Sequence, residues 1–441
     1  MSRSINNVLF GTFTLRFSTA LTGALLAYYL ADLHLLGGPV VDAFAFAIIH
    51  AAFYVTELVV SPWFGLLSDR LGHHRVMQFG PLFGAVAVLI TGVTSNLVIL
   101  GGTRVLEGAA TAASIPSILG FLAMATAGDE GLRGRVSARF ELATLAGLGA
   151  GLGAAGVFWG VFGPVAFFVN AGFYLGSLAI YRYGVRAPDA PAGPHHRPQY
   201  GWRRYANLLK SSHIWLLAPT WIAVNAALGV FAGTGLFNLV RDQSGKYPDQ
   251  LLAGGLSTVE ITVGLAAVGL VFVAGVVYWG NRFKNTRRTT IIVYGIVGGF
   301  ALVGAAIAFN HSGGVEPILR LPLAILAGVG LFLLAGATPA AVGLLADMSE
   351  AYPDDRGAVM GLYGVFLAVG QIVGTMAGGV ASDLAGIDGL LIATLIFMAI
   401  ALPPLFWLRR DEHVFDLETE AVAAGEGDPA PEDRQPVDSS G

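Results

Sequence analysis

The chain is 441 residues long, 55% hydrophobic and only 12% charged, with a mean hydropathy of +0.67 and a formal net charge of −4. This balance excludes an ordinary soluble globular domain and a nucleic-acid binder, and describes an all-α protein that crosses a bilayer repeatedly, because only bundled helices satisfy their backbone in hydrocarbon. The absence of cysteine excludes disulfides, thiolate metal sites and thiol catalysis.

In chain order, apolar segments fall near 7–31, 41–64, 76–95, 97–127, 137–159, 161–183, 213–240, 256–279, 289–309, 318–345, 357–382 and 388–408, which predicts twelve transmembrane helices. The first resembles a signal peptide, but Arg16 interrupts its apolar run and no polar domain follows, so it reads as an uncleaved span. The polar stretch 184–212, rich in Pro, Arg and His, reads as a cytoplasmic central loop between an N-terminal six-helix half, 1–183, and a C-terminal half, 213–409. Residues 410–441 read as a disordered, acidic cytoplasmic tail.

Arg16 in the first span either attracts an anionic substrate or pairs with Glu57. The second span carries His50, Tyr54, Glu57 and Ser61 on one side, a polar stripe that lipid cannot receive. It faces a cavity or another helix, and Glu57 with His50 is a candidate proton carrier. In the fourth span Arg104, Glu107, Thr111 and Ser114 recur on one face, either as a working charged pair or as a static one. Gly151, Gly153 and Gly156 in the fifth span spell a formal G-x-G-x-x-G, but no strand precedes them and the surroundings are apolar, so a dinucleotide site is discarded. In the second half, Trp221 and Asn225 are candidate substrate contacts and Glu260 is the one carboxylate expected well inside a span.

The halves repeat one another. The stretch 133–157 aligns with 356–380, pairing Arg133 with Arg356, Gly147 with Gly370, Gly151 with Gly374 and Gly156 with Gly379. These glycines predict close helix packing. Lys and Arg concentrate in alternate loops, including Arg70, Arg75, Arg135, Arg182, Arg282 and Arg409, while the opposite loops hold Arg241, Lys246 and Arg320. The bias places both termini in the cytoplasm.

Between the second and third spans lies "GLLSDRLGHHR", residues 65–75. It resembles the loop motif of the major facilitator superfamily of transporters, carried here by Gly65, Leu67, Asp69, Arg70, Gly72 and Arg75, with His73 departing at the first basic position. The resemblance implies twelve helices in two pseudo-symmetric halves around a midplane site, with this loop latching the halves on the cytoplasmic side. "RVLEG", 104–108, is similar to the family's motif associated with proton coupling, and Gly147, Gly151 and Gly156 to its antiporter pattern, although Leu152 replaces the proline and Ala155 a glycine. The spans at positions three, six, nine and twelve hold no charge in their interiors, with Arg182 and Asp388 at span ends, as the family's lipid-facing helices would.

The expected function is therefore proton-coupled export of amphipathic small molecules across the plasma membrane by a monomer. Glu107, Arg104, Glu57 and His50 would handle protons, and Arg16, Tyr54, Thr111, Ser114, Trp221, Asn225 and Glu260 would line the substrate cavity. The alternative is a symporter importing a small organic solute or anion. No enzyme activity, cofactor or metal is expected, since the histidine pairs 73–74 and 195–196 lack further ligands at metal spacing.

Overall fold

A computed structural model describes residues 2–126, 130–186, 214–282, 286–350 and 356–425. Most of the expected central loop, His195 and His196, the final residues 426–441 and the side chains of Arg133 and Arg356 lie outside the described residues. What is described is helix and turn, with one isolated bridge between Asp242 and Gly254.

The helices are α1 (Ser2–Ala31), α2 (Ala43–Leu71), α3 (Phe79–Thr91), α4 (Leu97–Ala125), α5 (Glu130–Phe162), α6 (Ala166–Gly184), α7 (Ile214–Val240), α8 (Thr258–Gly280) and α9 (Arg288–Asn310). A broken α10 follows, made of Leu321–Leu334 and Ala337–Glu350. The last run, Arg356–Gly425, turns at Ala385 and at Gly386, where φ is 63°, giving α11 over 356–384 and α12 over 387–425. Local sequence sets several starts. Asp42 caps α2 by accepting from the Ala45 N–H at 2.7 Å, and Asn96 caps α4 by accepting from those of Val98 and Ile99.

Nine stretches among the described residues are long and apolar enough to cross a bilayer. Two of them, Arg135–Gly184 and Gly364–Arg410, each run through a turn between two helices, and α3 has only 13 residues. That is where this count departs from the twelve expected. The tail also differs: helix continues to Gly425, because 411–424 is rich in Glu and Ala and contains neither Gly nor Pro.

One core cluster runs from Ile5 to Val185 and takes in only Phe237 and Ile261 from the second half. Two others, from Leu217 to Leu408 and from Val230 to Ala393, belong wholly to the second half. We call the end of the bundle carrying Arg70, Arg75, Arg182 and Arg282 the basic end, and the opposite one the far end.

Candidate functional site

Gly108 in α4 lies directly against the Phe53 carbonyl and Thr56 of α2, so the two helices approach as closely as backbones allow. That approach buries the charges one turn earlier. Arg104 pairs with the Glu107 carboxylate through Oε2, with side chains only 4% and 1% exposed, and its guanidinium sits 4.9 Å from the centre of the Phe53 ring. The pair is incompletely satisfied: Glu107 Oε1 and Arg104 Nε have no hydrogen-bond partner among the described residues. An unmade bond on a buried charged group is costly, so such a pair is poor as a structural fastening.

A second charge group lies on α1, α2 and α5. Arg16 is within electrostatic reach of Glu57 and of Glu141, the latter a residue that the sequence reading passed over. Its signal was available, since Glu141 is a carboxylate inside the apolar run of α5. Tyr54 lies within reach of Glu57, Arg16 and Arg104, and so links the two groups. His50 does not join Glu57. Its ring stacks on Phe46 at 5.7 Å and faces Tyr54 at 5.8 Å, its charged neighbour is Arg104, and its Nδ1 has no partner among the described residues.

Three expected cavity residues are placed elsewhere. Ser114 is fully buried, donates to the Ala110 carbonyl at 2.9 Å and packs on Gly80, because its position on α4 turns it toward α3. Asn225 donates to the Trp221 carbonyl in its own helix at 2.8 Å and lies against Gly370, so it belongs to the α7–α11 contact. Glu260 is not inside the bundle: it closes a capping box at the start of α8, accepting from the Ser257 N–H at 2.8 Å and hydroxyl at 2.7 Å. The Ser-x-x-Glu spacing was in the sequence. Thr111 and Trp221 are buried, at 4% and 1% exposure. Gln371, which the sequence reading did not single out, is packed beside Gly229 with its Oε1 buried and unpartnered among the described residues.

The repeated glycines make the seams. Gly147 and Gly151 of α5 admit the Phe13 and Phe17 carbonyls of α1, and Gly370 and Gly374 of α11 admit those of Ile222 and Ala226 of α7. The third pair crosses between halves. Gly156 lies against Thr258 and Thr262 of α8, and Gly379 against Ala43, Phe44 and Ala47 of α2. The cross-contact at Gly379 continues at the far end, where the Ala43 and Phe44 N–H groups donate to the two Asp383 carboxylate oxygens at 2.9 Å each. Phe46 and Phe237 stack nearby with ring centres 4.6 Å apart.

A family model described as Major Facilitator Superfamily matches residues 8–346 and again 255–426. The chain belongs to the Major Facilitator Superfamily. It is 24% identical over 339 residues to "Multidrug resistance protein 2" of Bacillus subtilis (strain 168), covering 76% of this chain and 79% of that protein. It is 22% identical to "Quinolone resistance protein NorA" of Staphylococcus aureus (strain MRSA252), covering 87% and 91%. Among solved structures, the nucleoside transporter NupG matches with a TM-score of 0.65 at 12% identity over 92% of this chain and 98% of that one. An inward-facing, unoccupied bacterial homolog of the human lysosomal transporter Spinster matches with a TM-score of 0.63 at 12% identity over 98% and 100%. At that identity the structures speak for the fold alone. This major facilitator protein is thus a multi-pass membrane transporter and not an enzyme.

The superfamily's loop motif is built from a positive-φ turn at Gly72, with φ of 92°. Ser68 donates to the Gly65 carbonyl at 2.8 Å and meets His73 Nδ1 at 3.0 Å. The His73 ring lies directly against Gly120 of α4. Burial lowers its pKa, and Asp69, 3.8 Å away, partly opposes that shift. Asp69 itself is 49% exposed, and among the described residues it meets nothing from the second half. Arg70 and Arg75 are exposed. Among the described residues the motif makes no contact with the second half, whereas Asp383 of α11 holds the start of α2 at the far end.

Proposed function

We propose that the protein exports amphipathic small molecules in exchange for protons, with its basic end in the cytoplasm of a cell whose plasma membrane it crosses, working as a monomer. The observation that carries the reading is the incompletely satisfied Arg104–Glu107 pair. Oε2 of Glu107 is held by Arg104 while Oε1 has no partner among the described residues, so a proton arriving on Oε1 neutralises the carboxylate without first breaking the contact. Loss of that proton restores a full ion pair. The balance between a buried carboxylate's preference for neutrality and the attraction of its arginine is what a substrate entering the cavity can tip.

The names of the relatives, a multidrug resistance protein and a quinolone resistance protein, support export over import. The Arg16 group supports it as well. With Glu57 and Glu141 both in electrostatic reach, though in no ion-pair contact among the described residues, Arg16 is partly countered and less suited to drawing in an anionic solute. In this reading Asp69 and Asp383 alternate: the far end is fastened while the loop motif is open, and the reverse holds in the other state of the rocking cycle.

The test is uptake of a fluorescent amphiphile into inverted vesicles under an imposed pH gradient, with binding measured in detergent. Glu107→Gln is expected to abolish gradient-driven uptake while binding survives. Parental uptake by Glu107→Gln with an unchanged pH profile makes Glu107 structural, and Glu57 then becomes the carrier to test.

A further inference from the structure

A cleft of about 470 Å³ opens at the basic end between the start of α3 and the end of α6, far from both charge groups. Its rim is His74, Arg75 and Gln78 on one side and Arg182 on the other, and its floor is Phe79, Leu82 and Leu178. The Gln78 amide is occupied, since it donates to the His74 carbonyl at 2.7 Å. Arg75 and Arg182 are exposed and pair with no carboxylate among the described residues. Two unpaired guanidiniums over an apolar floor are built for a phosphate, which they hold by forked, charge-assisted hydrogen bonds.

The surroundings specify what carries the phosphate. Arg182, Leu175 and Phe168 stand seven residues apart on one face of α6, and Leu175 and Phe168 are exposed at 48% and 41%. On α3, Leu82, Val86 and Leu89 form a matching exposed stripe that leads away from the rim toward the middle of the bilayer. Charge at the membrane surface above a continuous apolar track matches a phospholipid: headgroup in the cleft, acyl chains along the two helices. A free phosphate ion would leave the track unused.

We propose that the α3–α6 cleft is a binding site for an anionic phospholipid, with Arg75 and Arg182 holding the headgroup phosphate and Leu82 and Leu175 flanking the acyl chains. Arg75, the last residue of the loop motif, then serves the lipid rather than the second half of the transporter. Because Arg75 and Gly72 belong to one turn, an occupied cleft also fixes the end of α2 that carries Asp69.

The full chain, purified and delipidated in detergent, is titrated by native mass spectrometry with phosphatidylglycerol and with phosphatidylcholine of the same acyl chains. The parent is expected to retain phosphatidylglycerol in preference to phosphatidylcholine. Arg182→Ala is expected to weaken phosphatidylglycerol about fivefold and the Arg75→Ala/Arg182→Ala pair about twenty-fivefold, the effect of roughly 1 kcal/mol per arginine near an anionic headgroup. Arg182→Gln repeats the test if the alanine variant unfolds. Equal retention of the two lipids by the parent, or unchanged retention of phosphatidylglycerol in the double variant, overturns the site. Inorganic phosphate is expected to leave the lipid bound; if it displaces phosphatidylglycerol as well as a second phosphatidylglycerol does, the cleft is an ion site and the lipid assignment fails.

Discussion

In the first half, α1 and α5 meet where Gly147 and Gly151 admit the carbonyls of Phe13 and Phe17; in the second, α7 and α11 meet where Gly370 and Gly374 admit those of Ile222 and Ala226. The partners are four residues apart in both. Three residues after the first carbonyl stands Arg16 in one half and Asn225 in the other, and each side chain's Cβ touches the seam glycine. The backbone arrangement is repeated and the chemistry is not. Arg16 looks toward Glu57 and Glu141, whereas Asn225 folds back onto its own helix. Packing between membrane helices depends on shape, which a duplication preserves; charge in hydrocarbon is costly and persists only where it is used. On the proposed function, the difference would place proton handling in the first half and leave the second to shape the cavity.

The largest effects come from filling the seams. Gly151→Leu and Gly374→Leu each drive a side chain into a backbone carbonyl, which cannot yield as a flexible side chain can, so each should cost at least about 1–3 kcal/mol of stability. Thermal unfolding in detergent should show both variants lowered by similar amounts. Tolerance of one and not the other would break the equivalence of the seams.

Next come the unequal residues on the equal seams. Arg16→Ala removes the cation within reach of both Glu57 and Glu141, and uptake in vesicles should fall more than about tenfold, the loss expected when a buried charge loses a partner worth at least 1.4 kcal/mol. Asn225→Ala removes one bond to its own helix, worth about 1 kcal/mol, and should leave uptake within a few-fold of the parent. Comparable losses in the two variants would return the proton site to both halves.

Asp383 and Asp69 extend the comparison to the two ends of the bundle. Asp383→Asn weakens two charge-assisted bonds to the start of α2, by about 1–2 kcal/mol, and should raise thiol labelling at a cysteine introduced at Phe44 in this cysteine-free chain. Asp69→Asn should slow transport without changing that labelling, because among the described residues Asp69 makes no contact with the second half. Equal labelling in the Asp383→Asn variant and parent would show that the far end is held by packing at Gly379 and Phe46 instead.

Much of this was legible beforehand, for physical reasons. Helix positions follow from runs of apolar residues, and the seam glycines from their repetition, since in an apolar span a glycine has little purpose other than close approach. The Arg104–Glu107 pair was legible because a charged i, i+3 pair in hydrocarbon has few alternatives. The direction of a side chain around a helix was less so. Ser114 lies 0% exposed against α3 because the stripe that begins at Arg104 is wide enough to reach two neighbours. Glu260 was misplaced for another reason: an apolar run does not show where the first helical turn begins, and only its capping spacing to Ser257 marks the start of α8. Glu141 was visible as a charge but lacked a partner in sequence, since Arg16 meets it only through the fold.

The smallest effect distinguishes two loops of the basic end, 72–78 after α2 in the first half and 281–287 after α8 in the second. Burial against Gly120 lowers the His73 pKa below the ordinary 6.5, and the exposed Asp69 only partly opposes this. A histidine whose folded pKa is lowered contributes stability that is present above its ordinary value and is lost as pH falls through that value toward the folded one, because the unfolded turn takes up the proton first. The second-half loop has Arg282 and Arg287 and no histidine, so nothing in it titrates over that range. Amide hydrogen exchange measured at pH 7.5 and pH 5.5, corrected for intrinsic rates, should therefore show protection falling across 72–78 and unchanged across 286–290. His73→Gln keeps a polar side chain that can reach Ser68 but does not titrate, and should remove the pH dependence. If the variant loosens with acid as the parent does, the change belongs to another group of the turn such as His74, whose pKa burial and Arg75 also lower, and the turn is pH-sensitive for a reason other than His73.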